Sequence, residues 1–423
     1  MPIIYYPKKN KVKQLFAILT CLLLSSAAIA QTPKFSCTSG EMSQKQYDKH
    51  PEFLIARDQL DSFTAQFIRQ RQAQGAQRSG GINYVIPVVF HIIHVGGSEN
   101  VPDSLIYIEM EHWNEYMSMT NPELTQTAPA FTNIVGNPQV EFRLAQKDPK
   151  GNCTNGIEHI YSQSTYLGTD QTKLSPWPPN QYLNVWLERA IEKDTSNYCT
   201  LAYAFYPSSV ATYTNQSIID GIIAKSFVVG GNVDFSRPTL GHECGHWMNL
   251  EHTWGNTNSP GVACGDDGVN DTPITKGDQN TTPGTPDPIY EARCSPGVIE
   301  NVQNIMNYAE QHFMFTQGQV DRMQAALNSP IAGRNNLWTQ ANLLATGTDQ
   351  PLTYPNPNSC AIPIAEFAVN ARYVCAGQNV KFKDISYNAE YQTRQWTFPS
   401  DASITSSTDP ELLVNFSNPG GKK

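Results

Sequence analysis

A chain of 423 residues is longer than one ordinary domain, and its 39% hydrophobic content is that of a soluble globular protein. A formal net charge of -9 with no basic run argues against a nucleic-acid surface. Acidity of this size supports solubility and does not identify a substrate.

The chain begins as an export signal would. Lys8, Lys9, Lys11 and Lys13 precede the apolar run Leu15 to Leu24, and Ala28-Ile29-Ala30 supplies a small-residue cleavage site. The protein is therefore expected to be secreted, with a signal peptide over residues 1–30 removed after about Ala30. No other stretch reaches the length needed to span a bilayer. Cys21 leaves with the signal, and the remaining cysteines are expected to form disulfides in an oxidising compartment.

Residues 31–78 form an expected pro-segment, polar apart from one helical stripe, Phe53, Leu60, Phe63 and Phe67. It ends in the protease-sensitive connector Gln77-Arg78-Ser79-Gly80-Gly81. A catalytic domain over 79–345 opens with Tyr84 to Ile93, a nearly continuous apolar run suited to a strand buried on both faces. A helix is predicted from Pro102 to Met119, with strands at Val140–Ala145, Tyr182–Ile191 and Gly221–Val229 and a last helix at Gln317–Leu327. Alternation of strands and helices indicates an α/β (α+β) layer. A Pro/Asn/Thr-rich linker is expected over 346–362. Residues 363–423 then read as short strands of a small β-sandwich, at Phe367-Ala368-Val369, Val380-Lys381-Phe382 and Gln395 to Phe398. A full sandwich needs roughly 100 residues, so this module reads as truncated.

The chemistry concentrates between Thr239 and His252. On a helix, His242 and His246 share a face, so both imidazoles can reach one ion, and Glu243 is turned about 100° away, where it can reach a water without ligating the metal. Pro238 suits a helix start. A continuing helix would carry His252 away from the ion, so the helix must end, and Asn249 is the residue that can take positive φ. Three neutral imidazoles leave a zinc position open for water, with Glu243 as the base that takes its proton.

The segment His242-Glu243-Cys244-Gly245-His246-Trp247-Met248-Asn249-Leu250-Glu251-His252 resembles the metzincin clan of zinc peptidases, and within it the bacterial secreted branch of the pappalysin family. It departs from the clan pattern in having Asn249 where Gly is usual. The resemblance implies a two-subdomain catalytic domain built around a zinc-binding active-site helix. It also implies a Met-turn, which Asn304-Ile305-Met306-Asn307-Tyr308 fits, with Met306 as the floor under the metal and Tyr308 as a hydrogen-bond donor to the oxyanion. The family uses calcium to pin the acidic loop, here Asp266, Asp267, Asp271 and Thr272 between Cys264 and Cys294, which are expected to bridge it. Family pro-segments can use a cysteine as fourth zinc ligand; Cys37 is the candidate, released by cleavage after Arg78. Cys153–Cys199 and Cys360–Cys375 are candidate further pairs, which would leave Cys244 free in the core.

His91, His94, His112 and His312 are read as structural. The expected function is a secreted, zinc-dependent endopeptidase made as a latent zymogen, acting on proteins or peptides. One alternative is a gluzincin-type site using Glu291 or Glu300 as third ligand. Another is a surface-binding protein with an inactive metal site. The C-terminal piece resembles a polycystic-kidney-disease-type module in Gly377 to Asp384 and Trp396-Thr397-Phe398, which implies a substrate- or surface-binding accessory.

Overall fold

The computed structural model describes residues 34–73, 84–192, 198–211, 218–230, 238–255, 259–277, 291–309, 312–356, 361–371, 373–388 and 393–419. The expected signal peptide and the connector at Arg78 lie outside them. In chain order the N-terminal segment contributes β1 (Lys34–Cys37), α1 (Ser39–Lys49) and α2 (Phe53–Ala73). The central part follows with β2 (Tyr84–His94), α3 (Asp103–Ser118), β3 (Val135–Gly136), β4 (Val140–Leu144), β5 (Ile157–Tyr161), β6 (Leu183–Glu188), β7 (Tyr198–Ala204), α4 (Pro207–Val210) and β8 (Ile222–Lys225). Next come α5 (Thr239–Trp247), β9 (Phe315–Thr316), α6 (Gln317–Asn328) and α7 (Gln340–Thr346). The C-terminal part holds β10 (Phe367–Val369), β11 (Val380–Asp384), β12 (Trp396–Thr397), β13 (Ser406–Ser407) and β14 (Glu411–Val414).

One sheet organises the central part, in the order β1-β7-β8-β6-β2-β4, with β5 also pairing β2. Strand β2 is buried along its whole length because both of its faces are covered. Ile86, Val88, Phe90 and Ile92 face the main core, while Val89 and Ile93 face two smaller clusters around Trp177 and Trp186. Helix α3 lays Ile106, Met110, Trp113 and Met117 on that core, with Trp113 stacked on Phe142 of β4. The predicted strand at Gly221–Val229 is shorter than expected, ending at Lys225 before a 3-10 turn. Strands β5 and β7, absent from the sequence prediction, complete the sheet. Strand β7 runs antiparallel to β8 and is the edge to which β1 adds in parallel.

At the end of β6, Glu188 is fully buried and accepts hydrogen bonds from Thr172 Oγ1 at 2.5 Å and Gly168 N at 3.0 Å. Burial pushes its carboxyl up to about 8. A raised carboxyl favours folding fully below its ordinary value near 4.5, and that contribution is lost as pH climbs toward 8. Glu188→Gln should therefore leave the melting temperature unchanged at pH 4.5 and raise it by several degrees, about 2–4 °C or more, at pH 8. Parallel melting curves for the two proteins across that range would count against this account.

The stretch after α7 packs back on the central part: Tyr354 stacks on Tyr107, its hydroxyl accepts from Leu144 N, and Arg143 donates to the Thr348 carbonyl. Beyond it, β10, β11 and β14 form one antiparallel sheet and β12 pairs with β13. Phe367, Phe382, Trp396, Phe398 and Phe416 meet between the two. This β-rich part touches the central part through Lys383 Nζ on the Gly96 carbonyl, Tyr387 over His159 and Asn388 beside Thr154.

The cysteines pair differently from the sequence expectation. Cys264 and Cys294 are bonded as expected. Cys199 and Cys375 are free thiols, so neither Cys153–Cys199 nor Cys360–Cys375 forms; Cys153 is bonded to a partner outside the described residues. Spacing along the chain could not reveal this, because Cys199 lies on the edge strand β7, where the Lys225 ammonium donates to its sulfur.

Candidate active site

Helix α5 carries His242, Glu243 and His246, packs against β7, β8 and α3, and stops where the site needs it to. Asn249 takes φ 73°, the left-handed conformation that asparagine tolerates better than other non-glycine residues. Leu250 N donates to the Gly245 carbonyl and Asn249 N to the His246 carbonyl, closing the turn. His252 then comes back to its partners. Its Nε2, like that of His242, lies 3.2 Å from His246 Nε2.

The outer nitrogens decide what these rings can hold. His242 Nδ1 donates to the Ile305 carbonyl at 2.6 Å and His246 Nδ1 to the Leu250 carbonyl at 2.7 Å. A carbonyl only accepts, so each Nδ1 carries the hydrogen and each Nε2 presents a lone pair. Burial, then the neighbouring imidazoles, hold His242 and His252 well below the usual histidine range, and burial brings His246 down to about 4. Lone pairs facing each other at this distance repel unless a cation lies among them. The Cys37 sulfur joins the group, its ligand atom and the three imidazole nitrogens all lying within 4.8 Å of one another. Three neutral nitrogens and a sulfur fit zinc. Among the described residues, no other group of three or more such side chains converges in this way.

Ile305 and Met306 are fully buried in the core that Leu240, Cys244 and Trp247 of α5 join. A methyl at Gly245 would meet the Met306 sulfur, so a larger residue there would require that side chain to shift. Trp254 stacks on His252. Tyr308 OH donates to the Cys37 carbonyl at 2.6 Å, accepts from Cys37 N at 3.0 Å and lies 3.1 Å from His252 Nε2.

Glu243 is 1% exposed, and burial pushes its carboxyl up to about 7. Its Oε2 accepts from Ser39 Oγ at 2.8 Å and from the Cys37 thiol at 3.4 Å, while Ser39 Oγ accepts from Ala204 N at the end of β7. Ser39 is a contact that sequence reasoning missed; as the first residue of α1 it reads as an ordinary helix-start serine. Burial and then the Glu243 carboxylate push the Cys37 thiol well above the ordinary cysteine range.

The peptidase M43 family model, described as Pregnancy-associated plasma protein-A, matches residues 167–328. An extracellular metalloprotease of Pyricularia oryzae is 31% identical over 216 residues, covering 46% of this chain and 68% of that protein. The chain belongs to the pappalysin family. This M43 peptidase is thus a zinc metallopeptidase of the metzincin type. An extracellular metalloprotease of Trichophyton verrucosum is 23% identical over 327 residues, 75% of this chain and 99% of that protein. Mature mirolysin of Tannerella forsythia, in complex with a cleaved peptide, aligns at 28% identity with TM-score 0.54 over 64% of this chain and 100% of that one. A promirolysin variant aligns at 26% with TM-score 0.58 over 75% and 100%. The pro-form covers more of this chain than the mature form does, as expected for a pappalysin made as a zymogen.

Other sequence-derived site residues are arranged more loosely. Cys244 is buried in the core, as expected. Glu300 is held by Arg293, Thr275 and Lys276 N, and Glu291 pairs with Arg293, so neither offers a third ligand to the histidines. In the acidic loop, Asp266 accepts from Gly268 N. Asp267 is buried, accepts from Val269 N and Gln319 Nε2, and is pushed by burial up to about 7. Asp271 accepts from Gly318 N in the first turn of α6, and Thr272 Oγ1 meets Thr316 Oγ1. These side chains do not by themselves form a cation cage. Asp271 Oδ1 is buried without a hydrogen-bond partner. His91 is engaged by Glu158 and Asn184, and His312 donates to the Ala309 carbonyl, so both are structural here.

Proposed function

We propose that this pappalysin is a secreted endopeptidase, with His242, His246 and His252 as zinc ligands, Glu243 as general base and Tyr308 as oxyanion donor. The observation that carries this reading is the convergence of three imidazole Nε2 atoms, those of His242 and His246 with their lone pairs free, beside a buried carboxylate. Bound there, zinc supplies Lewis acidity, polarising a carbonyl and bringing a water's pKa toward about 7. Glu243 takes the proton of the attacking water and passes it to the leaving amine. Tyr308 donates its hydroxyl hydrogen to the carbonyl oxygen as charge develops there. Met306 and Ile305 keep the far side of the imidazoles dry.

Strand β1 occupies the edge of β7 in the latent chain, which supports an extended peptide substrate pairing with that same edge after the segment leaves. Export fits relatives named as extracellular, and no helix among the described residues is long and apolar enough to cross a membrane. We assign residues 31–78 to the pro-segment, 79–345 to the catalytic domain and 363–423 to a polycystic-kidney-disease-type accessory for substrate or surface binding. Mass-spectrometric mapping of cleavage sites in a peptide library, with Glu243→Ala as control, tests the activity and its specificity together. Absence of any cleavage by activated, zinc-loaded protein would return the chain to the surface-binding reading.

Tyr308→Phe should lower kcat by roughly 10²-fold with little change in KM or zinc content; a fall in KM-side binding alone would remove the oxyanion role. For the acidic loop, the unpartnered Asp271 oxygen is the donor that supports calcium. Adding calcium to EGTA-treated, zinc-restored protein should then raise the melting temperature by a few degrees, about 2–4 °C. No shift would leave the loop as a cap on α6.

A further inference from the structure

We propose that Arg334 and Arg322 are positioning residues for the metal site, fixing the turn from Trp247 to Leu250 that brings His252 back beside His242 and His246. This rests on the three-histidine reading above. Arg334 is fully buried. It arrives on a stretch in which Ala332 and Gly333 both take positive φ, 54° and 69°; the first is a strained choice for a residue with a Cβ. Its guanidinium carbon lies 3.9 Å from the Trp247 ring centre, and its Nε faces the Trp247 carbonyl at 3.4 Å. Its two terminal nitrogens donate to Asp220 at 2.7 and 2.8 Å, and Asp220 also accepts the Trp247 indole N–H at 3.0 Å. One bidentate pair therefore grips both the ring and the backbone of the residue that follows His246.

Two residues on, Arg322 of α6 donates Nε–H to the Asn249 carbonyl at 2.7 Å. This is the residue at φ 73° that reverses the chain. The last carbonyls of a helix lack intrahelical partners and favour cations. Here two arginines satisfy the carbonyls on either side of Met248. The turn they hold carries the Leu250 carbonyl, which orients His246, and leads directly into His252. A fully buried ion pair such as Arg334–Asp220 is often no more stabilising than a well-packed apolar pair. Its place under the zinc helix, reached through strained backbone, points to geometry as its function. Lysine could not reproduce the fork that meets Asp220.

The test uses the full chain. Zinc dissociation constants are measured by chelator competition, and the visible spectrum of the cobalt-substituted protein reports ligand geometry. Arg322 is partly exposed, so Arg322→Ala should fold; it should weaken zinc binding roughly 10- to 100-fold and shift the cobalt bands, with Arg322→Lys partly restoring both. The volume-conserving pair Asp220→Asn/Arg334→Met should do the same without leaving a lone buried charge. Leu144→Ala, at the opposite edge of the sheet, should lower the melting temperature and leave zinc affinity and spectrum unchanged. If wild type binds zinc and Arg322→Ala and the double variant match it in both readouts, the positioning role is overturned while the ligand assignment stands. If wild type itself holds no zinc, the ligand reading falls first.

Discussion

Replacing Glu243 by Gln is expected to cut peptide hydrolysis by roughly 10²–10⁴-fold while leaving the fold and the zinc content intact. The substitution keeps the size of the side chain and its contact with Ser39 Oγ, and removes only the ability to accept a proton. Zinc content should hold because Glu243 is not among the side chains whose ligand atoms converge, His242, His246, His252 and Cys37. If Glu243 is the general base, its working form is the carboxylate, so activity should fall as pH drops through the carboxyl's own pKa. Burial brings that value up to about 7, and a cation at the neighbouring imidazoles acts in the opposite direction. The acid limb of the rate profile should therefore lie at or below about 7 and vanish from the residual activity of the Gln variant. A Gln variant within tenfold of wild type, at equal zinc occupancy, would show that another group moves the proton.

Much of this site was legible because its signal is local. His242, Glu243 and His246 lie within one helical turn, and the need for a left-handed residue before His252 follows from helix geometry alone. Asn249 meets that need at φ 73°. Strand β2 was equally readable, since a strand covered on both faces must be apolar throughout. What escaped notice depends on residues brought together from far apart. Strand β7 contains Cys199, Thr200, Leu201 and Ala202, a mixture with little alternation, yet it forms the edge that receives β1. Ser39 meets Glu243 across 204 residues and Arg334 meets Asp220 across 114. No periodicity connects such pairs. The pairings Cys153–Cys199 and Cys360–Cys375 failed for the same reason, since a disulfide depends on which segments the fold brings together.

If the Cys37 sulfur is the fourth zinc ligand, the full-length Cys37→Ala chain is expected to cleave a fluorogenic peptide before any processing, at least about tenfold faster than the intact wild-type chain, because the fourth metal position is then free. It should nevertheless remain well below the matured enzyme. Three further contacts still hold the N-terminal segment in the cleft: Ser39 Oγ on Glu243, the Cys37 backbone on Tyr308 OH, and β1 along β7. Farther out, Phe53, Ala56 and Leu60 of α2 are buried against the catalytic part. Arg57–Glu251, Asp61–Arg322 and Arg71–Asp321 pair across the same boundary. Partly exposed pairs of this kind contribute only ~0–1 kcal/mol each and are screened by salt. High salt alone should therefore not activate wild type, whereas Cys37→Ala with Ser39→Ala should leak more than either single change. If Cys37→Ala is as silent as wild type while Ser39→Ala is active, latency lies in the capped carboxylate, and the thiol beside the imidazoles is not the switch.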